Sequence, residues 1–323
     1  MPARTSVASF NPGVEMVLTR TTATGERRPA VKRLVWKTVT EDLTRLAMLK
    51  RGEVDIAYSL RGPLGEEVRR TPGLKLMPTV IAGTQWFNFG PLQWDPKSPW
   101  HDRRVRLAAA LAFDKNAINQ AETLGYSSRA ARSSRPPSNT PWRSRPIRTI
   151  RRRPRSSWPR PAIPTASTPA STPCDASYST VAEAIGNYLG AVGIRTKLRP
   201  MERAAFLGAW KDKKITGLLQ AGAGGLGNAA TRVQNYFVRD GVYTWGGYPD
   251  IDDLFIQQAR ELDPKRREML LHQIQRLAHE RVMHAPLWEL GFLNAIGPRV
   301  EESGLGLIAL HPYSAPYEDL RVK

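Results

Sequence analysis

The chain has one cysteine, Cys174, and five histidines among 323 residues. A single thiol excludes an internal disulfide framework and is too little for a cysteine-based zinc site. No run of about 18 apolar residues occurs, so no membrane-spanning helix is expected. The N-terminal Met1-Pro2-Ala3-Arg4 lacks the apolar segment of a signal peptide. There is no G-x-G-x-x-G before a helix, no P-loop, no H-E-x-x-H and no G-x-S-x-G. Gly222-Ala223-Gly224-Gly225-Leu226-Gly227 is glycine-rich but lacks the Lys-Ser/Thr ending of a phosphate loop. His272, His279 and His284 resemble a metal cluster in spacing, but a solvated helix face explains the first two. No carboxylate pair has a spacing that argues for acid–base chemistry. The expectation is no enzyme, no metal and no cofactor.

What is present is charge. The net charge is +19, which by itself points to nucleic acid or an anionic surface. It is unevenly placed. Residues 127–173 hold eleven Arg, ten Pro and no Lys, Asp or Glu, and subtracting those eleven charges leaves +8. This composition cannot bury enough apolar surface to offset ordering, so the segment is expected to be disordered. On this segment alone rests an alternative function, a basic nucleic-acid-binding protein. A shift of one nucleotide in the codons of Thr149 to Thr172 restores a peptide with a helix start, an apolar stripe and a glycine stop. The segment is therefore expected to be frameshifted, and its charge is not expected to inform function.

Outside it, helix and strand signals alternate, the mark of an α/β chain. Val31 to Val39 and Val54 to Tyr58 read as strands, with a helix between them that turns Leu43, Leu46, Ala47 and Leu49 inward and stops at Gly52. Leu74 to Val80 and Gln85 to Phe89 read as two further strands. Asp102 stands at an N-cap before a helix with Val105, Ala108, Ala109 and Ala112 on one face. Arg103, Arg104 and Arg106 are expected on the wet side, with Asp102 and Arg106 spaced to pair. Asp114 caps the next helix. Val181, Ile185 and Leu189 form a stripe that ends at Gly193. Asp263-Pro264 opens a long helix that Pro286 is expected to end.

Two stretches carry a resemblance. Thr44-Arg45 with Leu49-Lys50-Arg51-Gly52-Glu53-Val54-Asp55-Ile56-Ala57, and downstream His101-Asp102-Arg103-Arg104-Val105-Arg106 running to Ala112-Phe113-Asp114-Lys115, resemble extracytoplasmic solute-binding proteins of family 5. These are the dipeptide, oligopeptide and nickel receptors of ABC importers. The resemblance implies a periplasmic-binding-protein-like (type II) α/β fold of two lobes. It implies capture of a peptide, sugar or other small solute and delivery to membrane permease subunits, in the periplasm or another extracytoplasmic space. Against the family pattern the chain starts late, so the first lobe is expected to be incomplete. Residues 1–125 would be its remnant and the inter-lobe region, 126–173 the Arg/Pro/Ser-rich insert, and 174–323 the second lobe with a C-terminal return to the first.

The expected ligand-binding residues are Trp86, Asn88, Asn228, Tyr243 and Trp245. Trp86 and Asn88 alternate with Phe87 and Phe89, so both point to one side of their strand. The resemblance places that strand beside the cleft. Asn228 follows a run of glycines, at a place where some peptide receptors put an aspartate for the ligand's amino terminus. A neutral amide there favours a neutral or anionic ligand over a free dipeptide. Tyr243 and Trp245, in the glycine-rich stretch Gly241 to Gly247, offer stacking area.

Overall fold

A computed structural model describes residues 5–21, 29–127, 170–224, 229–307 and 319–323. In chain order the elements begin with β1 (Thr5–Asn11), β2 (Glu15–Arg20), β3 (Arg33–Lys37), α1 (Asp42–Lys50), β4 (Ile56–Leu60), α2 (Gly62–Arg70) and β5 (Lys75–Asn88). Then come α3 (Arg103–Ala112), α4 (Lys115–Thr123), β6 (Ala170–Asp175), α5 (Ser179–Ala191), β7 (Thr196–Met201), α6 (Arg203–Lys211) and β8 (Leu219–Gly224). The chain closes with α7 (Ala229–Phe237), α8 (Pro249–Arg260), α9 (Pro264–Glu280), β9 (His284–Ile296), β10 (Val300–Glu302) and β11 (Arg321–Val322). Contacts divide it into two units. The first comprises Met1–Ala82, Asn119–Ser127 and Leu290–Lys323, the second Gly83–Ile118 and Ser128–Glu289.

In the first unit β1, β2 and β3 form an antiparallel sheet. β4 pairs antiparallel with the end of β9, Ile56 opposite Ile296. Leu46 and Leu49 of α1, Ala57 and Leu60 of β4, Val68 of α2, and Leu293 and Ala295 make its core. The inward face of α1 differs from the expected stripe. Leu43 is exposed and Asp42 is buried. Asp42 turns in because Arg61 answers it with two hydrogen bonds, Nε at 2.7 Å and Nη2 at 3.0 Å. That pairing holds the carboxyl below its usual range against the opposing effect of burial. Leu43, one residue on, is thereby rotated outward.

In the second unit β5 runs antiparallel to β8, from Gly83 opposite Gly224 to Asn88 opposite Leu219. β8 is parallel to β6, and β6 to β7. Parallel neighbours need crossovers, and α5 and α6 supply them. β5 is one strand where two were expected. Its alternation sorts side chains to two cores. Phe87 and Phe89 pack with α3 and α5 residues such as Val105, Ala109, Ile185 and Leu189. Trp86 packs with Phe206, Trp210, Ile215, Leu219 and Ala221. A third core joins α7, α8 and α9 through Val233, Ile251, Leu254, Leu271, Ile274 and Ala278.

Three sequence expectations need correction. Asp102 does cap α3, accepting from Arg104 N at 2.7 Å. Its ion pair, however, is with Arg104, and Arg106 is only 2% exposed. Arg106 is buried because its guanidinium finds four carbonyls: Trp100 and His101 at 2.9 and 2.8 Å, Arg281 at 2.7 Å and Val282 at 3.1 Å. α9 ends at Glu280, and Pro286 lies inside β9 rather than stopping the helix. Thirdly, residues 127–173 are structured at their ends. Ser127 is buried and its hydroxyl accepts from Gly291 N. Ala170 to Pro173 open β6, where Thr172 pairs with Leu198 of β7 and is buried. Residues 128–169 lie outside the described residues.

Candidate functional site

β5, α6, α7 and the loop that follows α7 carry one aromatic cluster in the second unit. Trp86 meets Tyr236 edge-on, with ring centroids at 5.1 Å. Tyr236 stacks on Tyr243 at 5.1 Å with planes 16° apart, and Trp210 lies 4.8 Å from Tyr243. His284, at the start of β9, sits edge-on to Trp86 at 5.9 Å and to Phe237 at 5.0 Å. Tyr248 is held elsewhere, against Trp94 at 5.1 Å and under the Arg281 guanidinium at 4.2 Å.

The stretch from Gly241 to Gly247 is pinned rather than loose. Lys213 donates from Nζ to Gly241 O at 2.9 Å and Val242 O at 2.6 Å, and lies over the Trp245 ring at 5.8 Å. Trp210 Nε1 donates to Tyr243 O at 3.1 Å, and Tyr243 N to Asn235 O at 3.0 Å. Thr244 Oγ1 donates to Val238 O at 2.8 Å. The glycines serve close approach: a Cβ on Gly246 would stand 2.6 Å from the Trp94 ring, and one on Gly241 2.3 Å from Gln234 O.

These elements enclose a small cavity lined by Asn88, Gln93, Trp94, Tyr236, Tyr243, Thr244, Trp245, Gly246, Met283 and His284. Its free space is about 10 Å³, the room of one water molecule. Around it Gln93 Oε1, Trp86 Nε1, Trp245 Nε1 and His284 Nδ1 are buried without a hydrogen-bond partner. Asn88 is partly committed, since its Oδ1 accepts from Gly90 N at 2.7 Å. Burial pushes the His284 imidazole down to about 4 and the Tyr236 phenol up to about 12, so both are neutral at pH 7.

Of the sequence-derived residues, Asn88, Tyr243 and Trp245 line this cavity and Trp86 packs beside it. Asn228 lies outside the described residues, as does Gly225 to Gly227 of the glycine run, whose first three residues end β8. Sequence reasoning did not choose Gln93, Trp94, Tyr236 or His284 of the cavity wall, nor Arg232, whose guanidinium carbon lies 5.6 Å over the Tyr236 ring. Arg232 and Tyr236 carried a legible signal, a spacing of four on a helix, but α7 itself was not foreseen. Among the described residues no three His, Cys, Asp or Glu side chains gather for a metal. Cys174 is free and buried, its thiol pushed up to about 11 by that burial. No helix among the described residues is long and apolar enough to cross a membrane.

The α/β architecture is that of the type II periplasmic binding proteins. The middle-region model of the bacterial extracellular solute-binding proteins of family 5 matches residues 6–153 of this chain. It is 26% identical over 279 residues to "Probable di/tripeptide-binding protein 5" of Pseudomonas aeruginosa (strain UCBPP-PA14), covering 80% of this chain and 50% of that protein. The chain thus spans about half the length of the curated relative it matches. Two solved structures share the fold. NikA from Brucella suis, in complex with Fe(III)-EDTA, aligns at a TM-score of 0.75 and 19% identity, over 99% of this chain and 68% of its own. DppA from Helicobacter pylori, in complex with the peptide STSA, aligns at 0.76 and 15%, over 99% and 62%.

Proposed function

We propose that this chain binds a small solute for an ABC importer and presents it to membrane permease subunits in an extracytoplasmic compartment. The relatives are named as binding proteins, and one is named for di- and tripeptides. The observation that carries the reading onto this chain is the cavity of the second unit. There, two indole N–H groups, one imidazole nitrogen and one amide oxygen remain unpaired amid stacked aromatics. Such a surface offers stacking area with a few orienting polar atoms, the pattern of small-molecule sites. Trp86, Asn88, Tyr243 and Trp245 form the described part of the proposed site, and Asn228 is its proposed fifth member. The free space holds one water, so a solute has to part these walls on entry. The nucleic-acid reading rests on an Arg-rich segment that lies almost wholly outside the described residues.

The test is calorimetry and tryptophan fluorescence on the full chain against dipeptides, oligosaccharides and metal chelates. At least one class should bind, and Trp245→Ala should weaken that binding by about tenfold or more. Absence of binding across all three classes would refute solute capture. Unchanged affinity in both Trp245→Ala and Asn228→Ala would misplace the site.

A further inference from the structure

The walls of the cavity belong to two different cores. Tyr243 and Trp245 pack with Trp86, Phe206 and Trp210. Trp94 and Met283 pack instead with the α7–α9 core of Val233, Ile251 and Ile274. Hydrogen bonds fix the Trp245 side: Lys213 holds the carbonyls of Gly241 and Val242, Trp210 holds that of Tyr243, and Thr244 is tied to Val238. The Trp94 side is held differently. Among the described residues no hydrogen bond reaches the half-buried Trp94 indole. It rests on Gly246 and is backed by Tyr248, with ring centroids at 5.1 Å. Tyr248 is in turn held by charge. The Arg281 guanidinium carbon stands 4.2 Å from the centre of its ring, and its phenol acts on the Arg106 guanidinium. Arg281 has little freedom to leave that ring. Its Nη1 donates to Asp250 Oδ1 at 2.7 Å and its Nη2 to Asp250 Oδ2 at 2.6 Å. Tyr248 is the N-cap of α8 and Asp250 lies in its first turn, so one helix start carries both the ring and the counter-ion.

An isolated ion pair near the surface adds little to stability. A bidentate pair does something else, because the two parallel bonds fix where the guanidinium stands. A cation fixed over the face of a tyrosine in turn fixes the ring. Asp250, Arg281, Tyr248 and Trp94 thus form one train of contacts from the surface to the cavity wall. A solute larger than one water has to displace a wall, and the wall without hydrogen bonds is Trp94. We infer that Asp250 and Arg281 are positioning residues for solute binding: through Tyr248 they hold Trp94, and so set the size of solute that the cavity admits. This inference rests on the solute-binding reading above and deepens it by naming what limits the solute.

The experiment uses the full chain labelled with 5-fluorotryptophan, the Trp94 and Trp210 signals being assigned by Trp94→Phe and Trp210→Phe. The Trp94 fluorine line should shift or broaden in Arg281→Gln, and less so in Asp250→Asn, which keeps an uncharged acceptor. The Trp210 line should stay in place, and Asp250→Glu should keep the wild-type Trp94 line. Affinities are then measured for a small and a large member of each solute class: Gly-Gly and Ala-Trp, maltose and maltotriose, Fe(III)-EDTA and Fe(III)-DTPA. In the class that binds, Arg281→Gln should move the affinity ratio about tenfold toward the large member, the scale on which a pocket discriminates size. Urea midpoints of the variants report folding separately. An unmoved Trp94 line in Arg281→Gln would overturn the inference. So would equal weakening of the small and the large member, which marks a purely structural ion pair. No binding in any class sinks the solute-binding reading and the size limit with it, while the Trp94 line still decides whether the ion pair places the ring.

Discussion

Arg106 offers the sharpest test of how the second unit is held together. Replacing it by Met keeps the apolar stem and removes a guanidinium that donates to Trp100, His101, Arg281 and Val282 carbonyls. The first two belong to the turn that leads into α3, the other two to the turn between α9 and β9, so the side chain ties segments about 175 residues apart. Each hydrogen bond to a charged donor is worth about 1.5–3 kcal/mol in isolation. Against this stands the cost of burying the charge, several kcal/mol, which also pulls the guanidinium below its usual value. The balance is a loss of about 3 kcal/mol for Arg106→Met. For a unit of this size that lowers the melting temperature by roughly 6–12 °C. Arg106→Lys retains the charge but has three donors and no fork, so it should lose about 2 kcal/mol or more. Urea unfolding followed by tryptophan fluorescence and far-UV circular dichroism reads both variants, and coincidence of the two probes checks that one transition is being measured. An Arg106→Met midpoint within about 0.5 kcal/mol of wild type would refute the reasoning, because it would mean that desolvation cancels all four bonds.

Two further outcomes are expected. His284 stays neutral in the folded chain down to about pH 4, whereas the unfolded imidazole takes a proton near 6.5. Between those values the unfolded state binds more protons, so lowering the pH from 6.5 to 4 should remove about 3 kcal/mol of stability through this residue. Urea midpoints at pH 7 and 4.5 should therefore differ less in His284→Gln than in wild type, and identical pH dependence would count against it. Gly246→Ala should destabilise by roughly 1–3 kcal/mol, because the new methyl meets the Trp94 ring, itself backed by Tyr248. Calorimetric melting measures this, and an unshifted transition would show that the ring can move aside.

Much of the local structure was legible in advance. The starts of α3 and α9 follow from Asp102 and Asp263, whose carboxylates accept from the first free backbone N–H groups. The stripe of α5 through Val181, Ile185 and Leu189 is buried as its spacing predicts. Less legible were the polar residues that end up inside. Asp42 and Arg106 sit in amphipathic helices at positions that solvent would normally claim. Part of the candidate site was legible too: Trp86, Asn88, Tyr243 and Trp245 were chosen for strand alternation and stacking chemistry, and they lie around one cavity. Arg232, Tyr236 and His284 were not chosen, since α7 carried no capping signal and His284 was weighed only with His272 and His279 as an apparent metal cluster.

The sequence alone determined the starts of α3 and α9 and the buried stripe of α5, because caps and periodicity act within a few residues. The tertiary structure decided which charges are buried and which polar atoms stay open. Arg106 is buried because carbonyls 175 and 176 residues away come to meet it. Among the described residues no acid stands beside Arg232, which lies over the Tyr236 ring. Burial of a charge depends on partners, and partners distant in sequence are brought by the fold.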